Sequence, residues 1–260
     1  MRGKRVKGGT PSVRRSLRSL LETSQSTTPI ERIWRYMSFG RFVWLLQRKH
    51  LWLSWADLLG DPWKISLAGN QLEFVISRHP IGDIFSKKPH EGAIERSARI
   101  IKAWRRHTFV NCRSAAHHES HALWRIYCPH PEGVAIQTTL AKLQQSVGAL
   151  AVYRVTYEVP GPSRRTPTHA DLVTKKRPVF AYEQEVRVVS FEEDRLAEVE
   201  DEKVRGRCLS WDPEMYVESI RVHPQADDSF FETVMAVVEQ YAPSLEGCVA
   251  RSDMNAPPPF

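Results

Sequence analysis

Short apolar segments with period-two alternation recur along most of this chain, and they constrain its fold more than any other feature. In residues 51–58, LWLSWADL, bulky apolar side chains alternate with Ser54, which is typical of a strand with one buried face. Helical patterns lie between such segments, among them a long insert at residues 91–106 and a last helix in DSFFETVMAVVEQYA. Because strands and helices do not alternate regularly, we predict an α+β fold with a mixed, mostly antiparallel sheet and packed helices.

The charge of the chain is concentrated at its N-terminus. Residues 1–28 hold seven Lys and Arg against one Glu, whereas the remainder has a net charge of only +1. We therefore predict a disordered basic tail at 1–28, a single main domain at 29–253 and a flexible C-terminal tail at 254–260. The basic tail is expected to make at most weak, salt-sensitive contacts with nucleic acid.

Several classes of protein are disfavoured by the sequence. The most apolar stretch, FVWLLQRKHLWLSW, is interrupted by charged residues, so no membrane span is predicted. The four cysteines lie far apart without a CxxC pair, which is typical of reduced thiols and predicts a cytoplasmic protein. Neither GxGxxG nor a P-loop is present, so no standard dinucleotide fold and no cofactor is predicted, and the oligomeric state is left open.

The stretch YEQEVRVV, residues 182–189, raises the main functional question. If it is a strand, Glu183, Glu185 and Arg187 share one face, and the apolar Val186 and Val188 share the other. Such a charged face is either a surface neutralised by cross-strand pairs or the wall of a site.

Two metal-dependent interpretations are weaker. In HHESH, His117 and His121 are four residues apart, but the segment that begins with His-Glu, HESH at residues 118–121, is one residue shorter than the metalloprotease motif HExxH. A magnesium nuclease would assemble Asp61, Glu183 and Glu185 with Lys175 or Lys176, although no spacing requires it. We therefore predict no metal site.

A third interpretation needs no metal. Cleaving the N-glycosidic bond of a nicotinamide dinucleotide requires a cation to hold ribose-phosphate, an aromatic ring to stack and a carboxylate to stabilise an oxocarbenium-like transition state. Arg35 and Tyr36 on a first strand, Ser54 on a second, and Glu183 or Glu185 late in the chain supply these groups.

Four blocks of the sequence resemble, in order, a bacterial family known as domain of unknown function 2971. The resemblance covers about residues 32–253, and its blocks are WRYMSFGRFVWLL, LWLSWADLLGDPW, VNCRSAAHHESHALWRIY with EGVAIQTTLAKL, and KRPVFAYEQEVRVV. It implies a fold and a set of site positions and no reaction. The matching positions are Arg35, Asp61, Asn111, Glu119, Trp124, Glu183, Glu185 and Arg187, whereas the histidines of HHESH do not match.

The chain departs from that family at two places. Lys64 and Ile65 stand where the family commonly has Glu-Gly, and Arg113 and Ser114 stand where it commonly has an aromatic residue and His. If either lost group carries catalysis in the family, this chain must use another residue.

The sequence thus predicts an enzyme acting on a nicotinamide-dinucleotide or nucleotide-like substrate through a polar cleft. The alternative is a non-catalytic domain that binds nucleic acid or a partner protein through its basic tail. The predicted catalytic residues are Glu185, Glu183 and Arg35, and the predicted substrate-binding residues are Tyr36, Ser54, Asp61, Asn111, Glu119 and Arg187.

Overall fold

The computed structural model describes residues 31–58, 102–159, 169–192 and 205–255. All of them belong to one compact unit that begins at Glu31. The predicted tail at 1–28 and Asp61 lie outside the described residues, and the predicted domain limits stay predictions. No helix in the described ranges is long and apolar enough to cross a membrane.

The first three elements follow the sequence pattern closely. Strand β1 spans Arg32–Ser38, helix α1 spans Phe39–Arg48 and strand β2 spans His50–Trp55. Helix α1 ends where Lys49 adopts a left-handed conformation with φ of 51°, which turns the chain directly into β2. The alternation in β2 buries Leu51, Leu53 and Trp55 and leaves Trp52 and Ser54 on the other face.

The remaining elements form a sheet with helices packed on it. Helix α2 begins after Ser120, whose side chain caps it by accepting a hydrogen bond from the Leu123 amide. The bounds are β3 Thr108–Ala115, α2 His121–Tyr127, β4 Gly133–Thr139, α3 Leu140–Ser146, β5 Ala151–Arg154, β6 Thr156–Tyr157, α4 His169–Thr174, β7 Lys175–Lys176, β8 Glu185–Phe191, β9 Gly206–Ser210, α5 Pro213–Tyr216, β10 Ser219–Val222, α6 Asp228–Tyr241 and β11 Val249–Arg251.

Nine of the described strands form one sheet. Its order is β11-β10-β4-β1-β3-β2-β9, and β8 pairs with both β3 and β5. Within this sheet the described strands pair antiparallel except β10 with β11, and the short strands β6 and β7 pair parallel in a second sheet. The predicted α+β fold with a mixed, mostly antiparallel sheet is confirmed.

Apolar side chains cover both faces of this sheet. On one face, Ile33 and Met37 of β1 join the larger core beneath helices α1 and α6. On the other face, Trp34 and Tyr36 pack against Leu123 and Trp124 of α2, so that α2 covers the opposite side of β1. Strand β1 is therefore held between two apolar clusters, which fixes the direction of every side chain along it.

The charged stretch YEQEVRVV does not form one strand, and this prediction was wrong for its first half. Residues Pro178–Glu183 form a 3-10 helix, Gln184 has a left-handed φ of 42°, and β8 begins only at Glu185. Because Pro178 starts the 3-10 turn and Gln184 breaks extended geometry, Glu183 reaches its position through a turn. The alternation holds from Glu185 onward, where Val186 and Val188 enter the larger core.

Candidate functional site

A fork in the sheet creates the site. Strand β8 pairs with β3 along nearly its whole length, so β1 and β2 must share the other edge of β3. Strand β1 pairs only with residues 114–115 at one end of that edge, and β2 pairs only with residues 109–110 at the other. Between them the two strands diverge and leave residues 111–113 of β3 facing a gap.

Side chains bridge the backbone groups inside this fork. The Arg35 guanidinium donates from Nη1 to the Cys112 carbonyl at 2.9 Å, and the Asn111 amide donates from Nδ2 to the Trp52 carbonyl at 2.9 Å. These two bonds satisfy carbonyl groups that have no strand partner at this position, so they hold the fork open.

A cleft of about 490 Å³ opens at the fork and brings together most of the predicted site residues. Its volume lies in the range of about 300–1,000 Å³ that is typical of small-molecule sites. Of the predicted residues, the cleft is lined by Arg35, Tyr36, Ser54, Glu183 and Glu185. The convergence of Arg35 with Glu185, which are 150 positions apart in the sequence, is a property of the fold alone.

The two carboxylates belong to a buried charge cluster. Arg187 holds Glu185 with two parallel bonds, Nε to Oε1 and Nη2 to Oε2, both at 2.9 Å. The Lys176 ammonium lies between the carboxylates, 2.6 Å from Glu183 Oε2 and 3.3 Å from Glu185 Oε2. Tyr127 donates its hydroxyl to Glu183 Oε2 at 3.3 Å. The two carboxylates are therefore neither solvated nor without an ionic partner, because each forms a buried salt bridge.

This cluster keeps Glu185 ionised. Burial by itself would raise its pKa, but the charge and hydrogen bonds of Arg187, followed by the charge of Lys176, lower the pKa to about 2. Glu185 thus presents a fixed negative charge to the cleft at neutral pH. Arg187 does not line the cleft; it lies behind Glu185, fully buried, and also donates to the Val173 carbonyl.

Arg113 is the contrasting group in the cleft wall. Its Nε donates to Asn111 Oδ1 at 3.2 Å, but both terminal nitrogens are buried and have no hydrogen-bond partner in the described structure. The guanidinium lies over the Trp211 ring at 5.4 Å. Burial and then the charge of Arg35 lower its pKa to about 9, but a guanidinium stays protonated at neutral pH.

The described lining of the cleft therefore carries more positive than negative charge. Arg35, Arg41, Arg113 and Arg205 belong to it, whereas its two described carboxylates are paired with Lys176 and Arg187 from behind. A buried cation without a counter-ion destabilises the folded protein, and in this setting an anion in the cleft would compensate it.

Two other predicted residues have different surroundings. Asn111 lines a neighbouring second cleft and supports the fork, so its contacts are with protein groups. Glu119 does not line either cleft: its carboxylate accepts from Trp124 Nε1 at 2.8 Å, Ser252 Oγ at 2.7 Å and the Asp253 amide at 2.9 Å. These contacts tie α2 to the C-terminal end of the described chain.

Several residues that line the cleft were not predicted from the sequence. Arg113 was noted only as a departure from a family pattern, yet a charge inside the apolar strand TFVNCRSA signals a buried cation. Trp52 is 38% exposed in the structure, and its position opposite the buried face of LWLSW marks it as an accessible aromatic ring. Other lining residues that were not predicted include Arg41, Cys112, Tyr127 and Arg205.

The histidine segment lies apart from the cleft. His117 and His118 precede α2 in a bend, and His121 is the first residue of the helix. Among the described residues, no group of three His, Cys, Asp or Glu side chains is arranged to hold a metal ion.

No protein-family model matches the chain, and no curated protein sequence matches it. Among solved structures, the chain is similar to Thermus sp. 2.9 DarT in complex with ADP-ribosylated ssDNA, at 13% sequence identity and a TM-score of 0.37. That match covers 86% of this chain and 94% of the other. The resemblance to the domain of unknown function 2971 family stays a prediction.

Proposed function

We propose that the cleft binds a phosphate-bearing nucleotide and that the protein cleaves the N-glycosidic bond of a nicotinamide dinucleotide. One observation carries the proposal: Arg35 and Arg113, whose two terminal nitrogens have no hydrogen-bond partner in the described structure, line the same cleft as the ionised carboxylate of Glu185. A substrate that is anionic at one end and develops positive charge at the other matches this distribution of charge.

The binding half of the proposal follows from the arginines and the aromatic rings. Guanidinium groups bind phosphate oxygens in a bidentate manner, and the buried Arg113 adds positive potential even without touching the ligand. Trp52 and Tyr127, both substantially exposed, line the same cleft and offer surfaces on which a planar ring can stack.

The chemical half follows from the carboxylates. As the bond from ribose C1′ to the nicotinamide nitrogen breaks, its electron pair moves to the ring, which leaves as neutral nicotinamide. Positive charge then develops on C1′ and the ribose ring oxygen, where Glu185, with Glu183 beside it, stabilises it electrostatically. A water molecule forms the new C1′–O bond and releases a proton, which balances the hydrolysis.

The test measures nicotinamide release from nicotinamide adenine dinucleotide by the purified full-length protein. Glu185→Gln keeps the shape of the side chain but removes its charge, and we expect turnover to fall about 100-fold or more at this variant. Glu183→Gln is expected to have a smaller effect, because Glu183, unlike Glu185, is not held in a fixed orientation by the two parallel bonds of Arg187. The matched control is Glu218→Gln, which removes a carboxylate from a surface pair with Lys142 and should keep wild-type turnover.

Nucleotide binding, measured by calorimetry on the same proteins, separates loss of catalysis from loss of the site. Glu185→Gln is expected to bind nucleotide and fail in turnover. A wild-type protein that neither binds nucleotide nor releases nicotinamide would overturn the proposal.

A second candidate is a nucleotide-binding domain without catalysis. It is favoured by the fact that both oxygens of Glu185 already accept bonds from Arg187 and Lys176, as expected of a structural ion pair. Nucleotide binding without nicotinamide release would support it. The binding of nucleic acid or a partner through the basic tail concerns residues outside the described structure and stays a prediction.

A further inference from the structure

A second cleft lies beside the first. It has a volume of about 400 Å³ and is bordered by helix α1 and strand β2. Four of its lining residues, Arg35, Arg41, Trp52 and Ser54, also line the first cleft. The two clefts are therefore adjacent compartments with a common wall at the fork.

The common wall carries both positive charge and an aromatic ring. Arg35 and Arg41 are its cations, and the lining of the second cleft includes no carboxylate among the described residues. Trp52 is partly exposed and meets Trp44 edge-to-face, with ring centroids 6.3 Å apart and an angle of 89° between the planes. This arrangement holds the Trp52 ring in a fixed orientation while part of its surface stays accessible.

The residues that line the two clefts differ, and the difference matches a ligand with one reacting half and one half that is only bound. The carboxylates Glu183 and Glu185 line only the first cleft, whereas Trp44, His50 and Asn111 line only the second. The first cleft thus suits the reacting half of a ligand, and the second suits a half that is bound by stacking and hydrogen bonds alone.

We propose that the ligand is a dinucleotide that occupies both clefts. Its diphosphate lies against Arg35 and Arg41 at the fork, its reacting ribose faces Glu185, and the base of its second nucleotide stacks on Trp52 in the second cleft. This inference rests on the proposed function and adds a second base-binding compartment to it.

Gly40 provides a way to close the second cleft selectively. It lies in α1 and lines only the second cleft, and a Cβ atom added there would meet no atom within 4 Å. Gly40→Phe should therefore fill the compartment without straining the helix, since phenylalanine favours a helix more than glycine does. Gly247, which is also open around its Cβ and lines neither cleft, provides the matched control Gly247→Phe.

The experiment is calorimetric titration of the full-length protein with nicotinamide adenine dinucleotide and with nicotinamide mononucleotide, with Glu185→Gln present in every protein so that the ligands are bound and not cleaved. The protein with Glu185→Gln alone and the one that also carries Gly247→Phe are expected to bind the dinucleotide about tenfold or more tightly than the mononucleotide, because stacking of the second base adds affinity. In Gly40→Phe the dinucleotide should lose about that factor, while the affinity for the mononucleotide stays within about twofold. Trp44→Leu should produce the same selective loss, and it replaces Gly40→Phe if that variant does not fold.

One result would overturn only the use of the second cleft, and a different result would overturn the proposed function. Dinucleotide binding that is insensitive to both Gly40→Phe and Trp44→Leu would show that the second cleft is not used, with the proposed function intact. Absence of binding for both probes in the protein with Glu185→Gln alone and in the wild type would remove the proposed function, and this inference with it.

Discussion

Two buried arginines on adjacent paired strands show how differently one fold can treat the same side chain. Arg187 on β8 is surrounded by acceptors, with both oxygens of Glu185 and the Val173 carbonyl in contact. Arg113 on β3 has one neutral acceptor, Asn111, and two terminal nitrogens without a partner in the described structure. The first is a closed ion pair that stabilises the sheet, and the second is an open charge next to a cleft. Only the second offers binding energy to a ligand.

The largest effect is expected when the closed pair is broken. Arg187→Met leaves Lys176 as the one cationic partner of the buried Glu185 among the described residues, which should lower the free energy of unfolding by about 3–5 kcal/mol. Urea unfolding of the variant beside the wild type measures it. A loss below about 1 kcal/mol would show that the pair is worth no more than an exposed one, and the contrast with Arg113 would disappear.

Lowering the pH should also break the ion pair of Glu185 with Arg187, because acid protonates Glu185. The pKa of Glu185 is about 2 in the folded protein, against an ordinary value of 4.5. Between these values the unfolded chain binds more protons, so this contribution is complete above about pH 4.5 and is lost as pH falls toward 2. The loss should amount to about 3 kcal/mol, since each pKa unit corresponds to about 1.4 kcal/mol. Urea midpoints between pH 2.5 and 7 measure it, and Glu185→Gln should flatten the profile in this window.

The surroundings of Arg187 and those of Arg113 differ in how far the sequence predicts them. The spacing of Glu185, Arg187 and Val188 in β8 follows period-two alternation, so the charged face of that strand was predictable from Glu185 onward. Glu183 was assigned to the right neighbourhood for the wrong reason, because the 3-10 helix and the left-handed Gln184 depend on local turn geometry that alternation does not describe.

The fork itself could not be predicted from local sequence patterns. A first strand and a second strand at residues 51–58 were predicted, but the sharing of one edge of β3 by β1 and β2 depends on pairings between residues 54 to 82 positions apart. Whether Arg113 has a counter-ion depends on that topology. The sequence pattern of a lone arginine in a strand is the same whether or not a carboxylate lies beside it in the fold. The sequence therefore predicted the fold class and five of the lining residues, but not the charge balance of the cleft.

Removing the charge of Arg113 should change the free energy of unfolding by a smaller amount than Arg187→Met does, and in the opposite direction. In Arg113→Met an apolar chain of similar length replaces a buried cation that packs over Trp211 and has no counter-ion among the described residues. The free energy of unfolding should rise by about 1–2 kcal/mol, because the desolvation of the charge is no longer required. The same urea titration measures the change. A clear destabilisation would mean that Arg113 is satisfied in the folded protein.

The smallest effect is expected at an exposed pair that belongs to neither site. Lys142 and Glu218 form a surface salt bridge at 3.0 Å with both side chains substantially exposed. Lys142→Gln should change the free energy of unfolding by only about 0–1 kcal/mol. This variant sets the scale against which the two buried arginines are compared, and a larger loss would show that charge removal perturbs the fold non-specifically.

The most direct test of the open charge is the dependence of thermal stability on a bound anion. The unfolding midpoint of the full-length protein is measured with increasing AMP, with chloride keeping the ionic strength constant, in the wild type and in Arg113→Met. The account predicts that AMP raises the midpoint of the wild type, and that Arg113→Met begins from a higher midpoint and responds much less, because the folded state gains stability only by binding the anion. An Arg113→Met protein that begins lower than the wild type and gains as much from AMP would contradict the assignment of Arg113 as the open charge of the cleft.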